Sequence, residues 1–299
     1  MIKPTISPSP SPTPAPTPFS VVWMSDTQGY AGSLHEVLES MFDWTASVSE
    51  SENLVALLHT GDIVQDMTKA AQWENVRACD ARLPDTLLRV TAAGNHDIGP
   101  KGDEPENFLR YRIDTQLDPA AEYAGGLCRY TTLEAGGVKL LILSIAYLHE
   151  AESAAWAREV LAAHPEHFAI LLAHSYLAQS PHSQYDGYTS SGVILRDQIV
   201  LEAPNLRMVL CGHVHGSASL PLDAGEGAEA RRVHQFLLNY QASDRLRAGF
   251  LRLIRFDPMA DSIEIVTYSP YRDAFADYRD PLGASLLIEQ AGLAAFAAP

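Results

Sequence analysis

Leu87-Leu88-Arg89-Val90-Thr91-Ala92-Ala93 followed by Gly94-Asn95-His96-Asp97 is the stretch on which the reading of this chain turns. An apolar, β-branched run that stops at a glycine and then presents Asn, His and Asp reads as a buried strand ending in a polar loop. The pattern recurs. Val21–Met24 stops at Asp26 and Gln28, Leu54–Leu58 at Gly61-Asp62, Phe168–Ala173 at His174, and Leu206–Cys211 at Gly212-His213-Val214-His215.

The segments between these strands carry helical spacing. Ser33-Leu34-His35-Glu36 has the form of a capping box opening a helix over 33–48, with Leu34, Val37, Leu38, Met41 and Phe42 on one stripe. Trp73, Val76, Cys79 and Leu83 mark a second helix, with Cys79 in the core, and Trp156, Val160 and Leu161 a third. A further helix is expected near 192–202. The 99–125 stretch reads as an irregular rim with a short helix around 108–111. Ala135-Gly136-Gly137 signals a hairpin between two strands. Beyond 216 the pattern becomes strand after strand (233–240, 250–256, 262–269), expected as a β-meander, and 276–299 reads as a helical tail. Alternating strands and helices followed by strands predict a layered α/β fold. In such sheets ligands gather at the carboxyl ends of the strands, where Asp26, Asp62, Asn95, His174 and His213 all stand.

Composition narrows the function classes. The 299 residues carry a formal charge of −16, from 37 acidic and 21 basic side chains. That balance repels polyanions, so no nucleic-acid partner is expected. No apolar run is long enough to span a membrane. Three cysteines, without Cys-x-x-Cys spacing, do not suggest a disulfide framework. Residues 1–18, dominated by Ser-Pro and Thr-Pro pairs, read as an extended tether. This stretch lacks the apolar segment of a signal peptide, and tethers of this kind suit a secreted or cell-surface enzyme.

The strand-end groups Asp26, Gln28, Asp62, Asn95, His174, His213 and His215 are carboxylates, amide oxygens and imidazoles without a thiolate. That set suits borderline divalent ions such as Mn, Fe or Zn, and seven groups suit two ions better than one. Residues two apart on an extended segment share a face, which pairs Asp26 with Gln28 and His213 with His215. His59, His149, His182 and His234 receive no role from the sequence, though His182 lies on an aromatic loop (Tyr176–Tyr188) that could line a pocket.

The ordered set Asp26-x-Gln28, Gly61-Asp62, Gly94-Asn95-His96-Asp97, His174 and Gly212-His213-x-His215 resembles the calcineurin-like metallophosphoesterases over about residues 20–216. The resemblance implies a four-layer α/β/β/α sandwich of two mixed β-sheets flanked by helices, occupying 19–275. It implies two divalent cations bridged by Asp62, one completed by Asp26, Gln28 and His215, the other by Asn95, His174 and His213. It implies that Asn95 and His96 bind substrate, that His96 acts as the acid with Asp97 orienting it, and that Asp66 steadies the loop. The reaction implied is hydrolysis of a small phosphoester, by a water acidified between the cations and attacking phosphorus in line. A nuclease of the same chemistry, disfavoured by the charge, and a binding module that has lost catalysis are the alternatives. The family usually has His where Gln28 stands. A neutral amide oxygen is the poorer donor, so the first site should hold its ion more weakly.

Overall fold

The computed structural model describes residues 15–115, 121–180, 182–242, 248–277, 280 and 282–298. Most of the proposed tether thus lies outside the described residues. In chain order the elements are β1 (Phe19–Met24), α1 (Gln28–Ser33), α2 (His35–Val48), β2 (Leu54–His59), α3 (Ala70–Asp80), β3 (Leu88–Thr91), α4 (Asn95–Ile98) and α5 (Glu106–Tyr111). They continue with β4 (Glu122–Tyr123), β5 (Cys128–Ala135), β6 (Val138–Ile145), α6 (Glu150–Ala163), β7 (Phe168–Ala173), α7 (Ser190–Leu195, prolonged by a π-helical turn) and β8 (Leu206–Cys211). The last strands are β9 (Gly216–Ser219), β10 (Leu222–Ala224), β11 (Arg231–Asn239), β12 (Leu251–Asp257), β13 (Ser262–Ser269), β14 (Ala274–Phe275) and β15 (Ser285–Glu289).

Two mixed sheets result. The first runs β14-β13-β12-β1-β2-β3, with β15 also on β13; the second runs β10-β11-β8-β7-β6-β5-β4, with β9 also on β11. Alternation along the strands builds the layers. Val21, Trp23 and Leu58 meet Leu140, Ile142, Ile170 and Leu210 between the sheets. Val22, Met24 and Leu57 pack outward on Val37, Leu38, Phe42 and Trp73 of the helices covering the first sheet. Leu141, Leu171 and Val209 do the same against Ala157, Leu161 and Leu195 on the other side. Helices thus cover both outer faces, giving the four layers expected. Cys79 is buried in the first helical layer. Among the described residues no helix is long and apolar enough to cross a membrane.

The parallel strands end level. Met24 lies opposite His59, His59 opposite Thr91, Ile145 opposite Ala173, and Ala173 opposite Cys211. All five polar exits therefore reach one edge of the sandwich. The two sheets are tied there by His174 Nδ1 at 2.9 Å from the Thr60 carbonyl, while the Gly212 amide, donating to the His174 carbonyl, joins the exits of β8 and β7 within the second sheet.

Three expectations are corrected. The meander is split between the sheets: β11 lies parallel to β8, whereas β12 pairs antiparallel with β1 and β13. β11 is apolar on both faces, Val233 and Leu237 toward the helices and Phe236 and Leu238 toward the first sheet. Nothing local to such a strand specifies its neighbour. The tail is not an amphipathic helix but strand β15 on β13 followed by a short 3-10 turn, Leu293–Phe296. Gly292, with φ of 74°, breaks any continuous helix, and Leu293 and Phe296 plug the end of the inter-sheet core. Finally, Ser33 caps nothing. The amides of Tyr30 and Ala31 both bond to the Thr27 carbonyl, so a separate helix α1 ends at Ser33 and Leu34 stands at the start of α2.

Candidate metal centre

The strand-end loops hold their side chains by unusual backbone. Asp26, Asp62 and His213 adopt φ of 51°, 54° and 68°, the left-handed region that costs a residue with a Cβ roughly 1 kcal/mol or more. Three such residues among the expected ligands mark a backbone shaped for its side chains. Close approach needs glycine at two points. A Cβ on Gly94 would overlap the Asp62 carboxylate and amide, and one on Gly212 would overlap Ser25 Oγ and Asp26 Oδ2. These conformations also replace the extended segments assumed for pairing side chains two apart. Gln28 opens α1, and the 212–215 segment leaves β8 through a left-handed His213.

What the fold does bring together is a set of donor atoms around His174. Its Nδ1 lies against the Thr60 carbonyl and so carries the proton, leaving the Nε2 lone pair for the site. Around that Nε2 stand Asn95 Oδ1 at 3.2 Å, His213 Nδ1 at 3.2 Å and Asp62 Oδ1 at 3.3 Å. Asp62, His174 and His213 each offer an atom within 4.8 Å of the others. With bonds of about 2.1 Å to a common cation, neighbouring ligand atoms would lie roughly 3.0–3.4 Å apart, which is the spacing found.

The other expected ligands lie on the far side of Asp62. Gln28 Nε2 donates to Asp62 Oδ2 at 3.2 Å, while Gln28 Oε1 is buried with no hydrogen-bond partner. Asp26, fully buried, accepts from the His213 amide, Ser25 Oγ and Asn239 Nδ2. His215 is not drawn into the group; it is exposed, with Nε2 3.3 Å from Gln241 Nε2.

The field favours cations. Among the described residues no Lys or Arg pairs with Asp26 or Asp62. Burial, partly offset by His174 and reinforced by Asp62, pushes the Asp26 carboxyl up to about 8. Burial acts the same way on Asp62, but His174 and the His96 amide outweigh it and hold that carboxyl below its usual range. Burial opposes charge on His174, yet Asp62, Asp26 and the Thr60 carbonyl prevail and raise the imidazole to about 9, so a cation taking the Nε2 lone pair would displace the proton that the carboxylates hold there. Burial first and His174 second push His213 down to about 4, leaving it a neutral donor. Paired buried carboxylates, neutral imidazole and an orphaned amide oxygen fit divalent cations.

His96 and Asp97 part company in the structure. The His96 amide donates to Asp62 Oδ1 at 2.9 Å, and its half-buried ring places Nδ1 2.8 Å from the Gln65 carbonyl. Nδ1–H is thereby fixed by Gln65, and Nε2 is left for another partner. Asp97 does not orient it. Its Oδ1 accepts from the Ile63 and Val64 amides and its Oδ2 from the Gly94 amide, stitching the Asp62 loop to the Asn95 loop. Asp66 accepts from the Thr68 amide and hydroxyl and steadies its own turn.

The sequence reading missed three supports. His59 is buried, accepts from the Gly61 amide at Nδ1 and so donates from Nε2 to Thr27 Oγ1 at 3.0 Å. Burial and then His174 push its pKa down to about 3, so it stays neutral beneath the site. Asn239, at the end of β11, joins Asp26 to the His213 carbonyl. Tyr147 sets its ring against His174 and His213. By contrast, Tyr176 and Tyr188 are buried and meet Gln235 through their hydroxyls, which puts the ends of that loop in the core, while His182 is exposed.

Known proteins resemble this chain to different extents. The uncharacterized protein YvnB of Bacillus subtilis (strain 168) is 33% identical over 261 residues, 85% of this chain and 20% of that protein. The chain thus spans about a fifth of the length of the curated relative it matches. Two solved structures have the same fold at low identity. The purple acid phosphatase PPD1 from yellow lupin (Lupinus luteus) seeds superposes with a TM-score of 0.63 at 12% identity, covering 93% of this chain and 55% of that one. A dimetal phosphatase from Danio rerio gives 0.61 at 11% identity, with coverages of 91% and 99%. The family model for calcineurin-like phosphoesterases matches residues 19–217, the span that contains every strand-end loop described above. By that match the chain belongs to the calcineurin-like phosphoesterase family.

Proposed function

We propose that this chain hydrolyses small phosphoesters at a dinuclear centre. Asp62, Asn95, His174 and His213 would hold one divalent cation, and Asp62, Asp26, Gln28 and His215 the other. The observation that carries the reading is the convergence of three donor atoms on His174 Nε2 within 3.2–3.3 Å. When bound, the cations supply Lewis acidity toward phosphoryl oxygens and make water more acidic near neutral pH. The chain's own part is to place that chemistry. Asp62 presents one oxygen to each site, since Oδ1 faces His174 and Oδ2 faces Gln28. Asn95, half-buried at the mouth, is positioned to contact a phosphoryl oxygen through its amide. His96, its Nδ1–H held by the Gln65 carbonyl, is free to give a proton from Nε2 to the departing alcohol oxygen.

The test is turnover of aryl phosphomonoesters, phosphodiesters and cyclic nucleotides by chelated protein reloaded with Mn, Zn, Ni or Mg. Turnover that returns with a divalent ion is the expected result. None with any ion sinks the reading.

Within it, His96→Ala should lower kcat by about 10²–10³-fold with bound metal unchanged, as elemental analysis would record. Full activity in that variant would remove His96 from the chemistry. Metal titration of the chelated protein should resolve two unequal affinities. Gln28→His should tighten the weaker by about tenfold, because imidazole replaces a neutral amide oxygen. Two equally tight sites in the parent chain would refute this.

A further inference from the structure

The loop leaving β6 is a tight turn, Ala146–His149, closed by the His149 amide on the Ala146 carbonyl at 3.1 Å. The Tyr147 amide donates to the Ala93 carbonyl at 2.9 Å, fastening the turn to the residue before Gly94. His149 Nε2 lies 3.1 Å from the Gly102 carbonyl and joins it to the 99–102 rim. The turn is therefore fixed beside the Asn95-His96 loop rather than free.

Its two central residues are unusual in different ways. The Tyr147 ring centroid lies 5.9 Å from that of His174 and 5.6 Å from that of His213. It thus walls the metal centre, and its hydroxyl makes no hydrogen bond among the described residues. Packing alone holds the ring, which is only half-buried. Leu148 follows at φ of 61°, in the turn position that ordinarily calls for glycine. Among the described residues it is the only large apolar side chain in the left-handed region, and it is 48% exposed. A strained backbone that displays an apolar side chain to water is doubly unfavourable, and such outliers gather where a ligand uses them.

We propose that the Tyr147–Leu148 turn is the leaving-group subsite of this centre, selecting phosphoesters of aromatic alcohols. The inference rests on the phosphoesterase reading and adds the substrate class. An aromatic ring released from a phosphoryl group held at the metals would stack on the Tyr147 ring and lie against Leu148. A short alkyl alcohol would gain nothing from either surface.

Binding of two non-hydrolysable probes to the metal-loaded full chain tests it, with phenylphosphonate and methylphosphonate titrated calorimetrically. Phenylphosphonate should bind about five- to tenfold more tightly, the scale of one aromatic stack. Leu148→Gly and Tyr147→Leu should each bring that ratio close to about twofold, with bound metal unchanged. Leu148→Gly should also melt no lower than the parent, since glycine accepts this φ without strain, so a lost preference cannot be lost folding. Equal affinities in the parent chain, or a preference that survives both substitutions, overturns the subsite while methylphosphonate binding leaves the metal centre standing. If neither probe binds and no phosphoester is turned over, the phosphoesterase reading itself fails and the subsite with it.

Discussion

Asp62→Asn is expected to lose metal and turnover together, with kcat falling by about 10³-fold or more. Asp62 faces both halves of the expected centre with its two carboxylate oxygens: Oδ1 lies 3.3 Å from His174 Nε2 and Oδ2 3.2 Å from Gln28 Nε2. The Asn variant keeps the shape but must turn its amide one way. Oδ1 already accepts the His96 amide at 2.9 Å, so an NH₂ there would set donor against donor. The NH₂ is driven instead to the Gln28 side, where it cannot ligate a cation and meets the Gln28 NH₂. The first site then keeps Asp26 and Gln28 with His215 exposed at its edge, and the second loses the negative charge of its shared carboxylate. Metal ions supply several kcal/mol of transition-state stabilisation, and each 1.36 kcal/mol is tenfold in rate, which sets the magnitude. The check is metal-to-protein ratio after gel filtration together with kcat on an aryl phosphoester, with the melting curve confirming a folded variant. A variant that retained two ions and parental turnover would remove Asp62 from the bridge.

How much of this was legible in the sequence follows from what each residue's partners are. Strands β1, β2, β3, β7 and β8 announce themselves because a strand buried on both faces must be an apolar run, and their level ends follow from parallel pairing. Ligand types at those ends are readable for the same reason. The partners are not, because they are set by tertiary approach. Asn239 reaches Asp26 across 213 residues of sequence, from a strand that looked like part of a separate meander. His59 sits inside an apolar run, where its hydrogen bonds to Gly61 and Thr27 are invisible to periodicity. The His213–His215 pairing failed because a positive φ at His213 ends the extended geometry it assumed. The tail failed because short apolar stretches such as 285–296 satisfy both strand and helix patterns, and β13 offered an edge to fill. Only the sheet could decide that.

Asp97→Ala should destabilise the fold and loosen the metals, and should do so without acting on proton transfer. Asp97 is fully buried, and its carboxylate takes three backbone amides: Ile63 at 2.8 Å, Val64 at 3.2 Å and Gly94 at 2.9 Å. Alanine leaves all three without an acceptor, in a place water must be admitted to reach. An orphaned buried donor costs about 1–3 kcal/mol, so a total near 3 kcal/mol is expected once mutual relaxation is allowed. Burial, and the neighbouring Asp62, push the Asp97 carboxyl up to about 7, so part of that loss is offset by no longer burying the group. The melting temperature should fall by roughly 6–12 °C. Because these amides join the Asp62 loop to the Asn95 loop, metal affinity should drop by about 10–100-fold. Asp97→Asn keeps an acceptor oxygen and should recover a good part of both losses. The acid limb of the pH–rate profile distinguishes this from an orienting role toward His96, whose Nδ1 lies against the Gln65 carbonyl instead. In metal-saturated Asp97→Asn that limb should stay where it is in the parent. A shifted limb with unchanged melting temperature and metal affinity would instead restore Asp97 as the partner of His96.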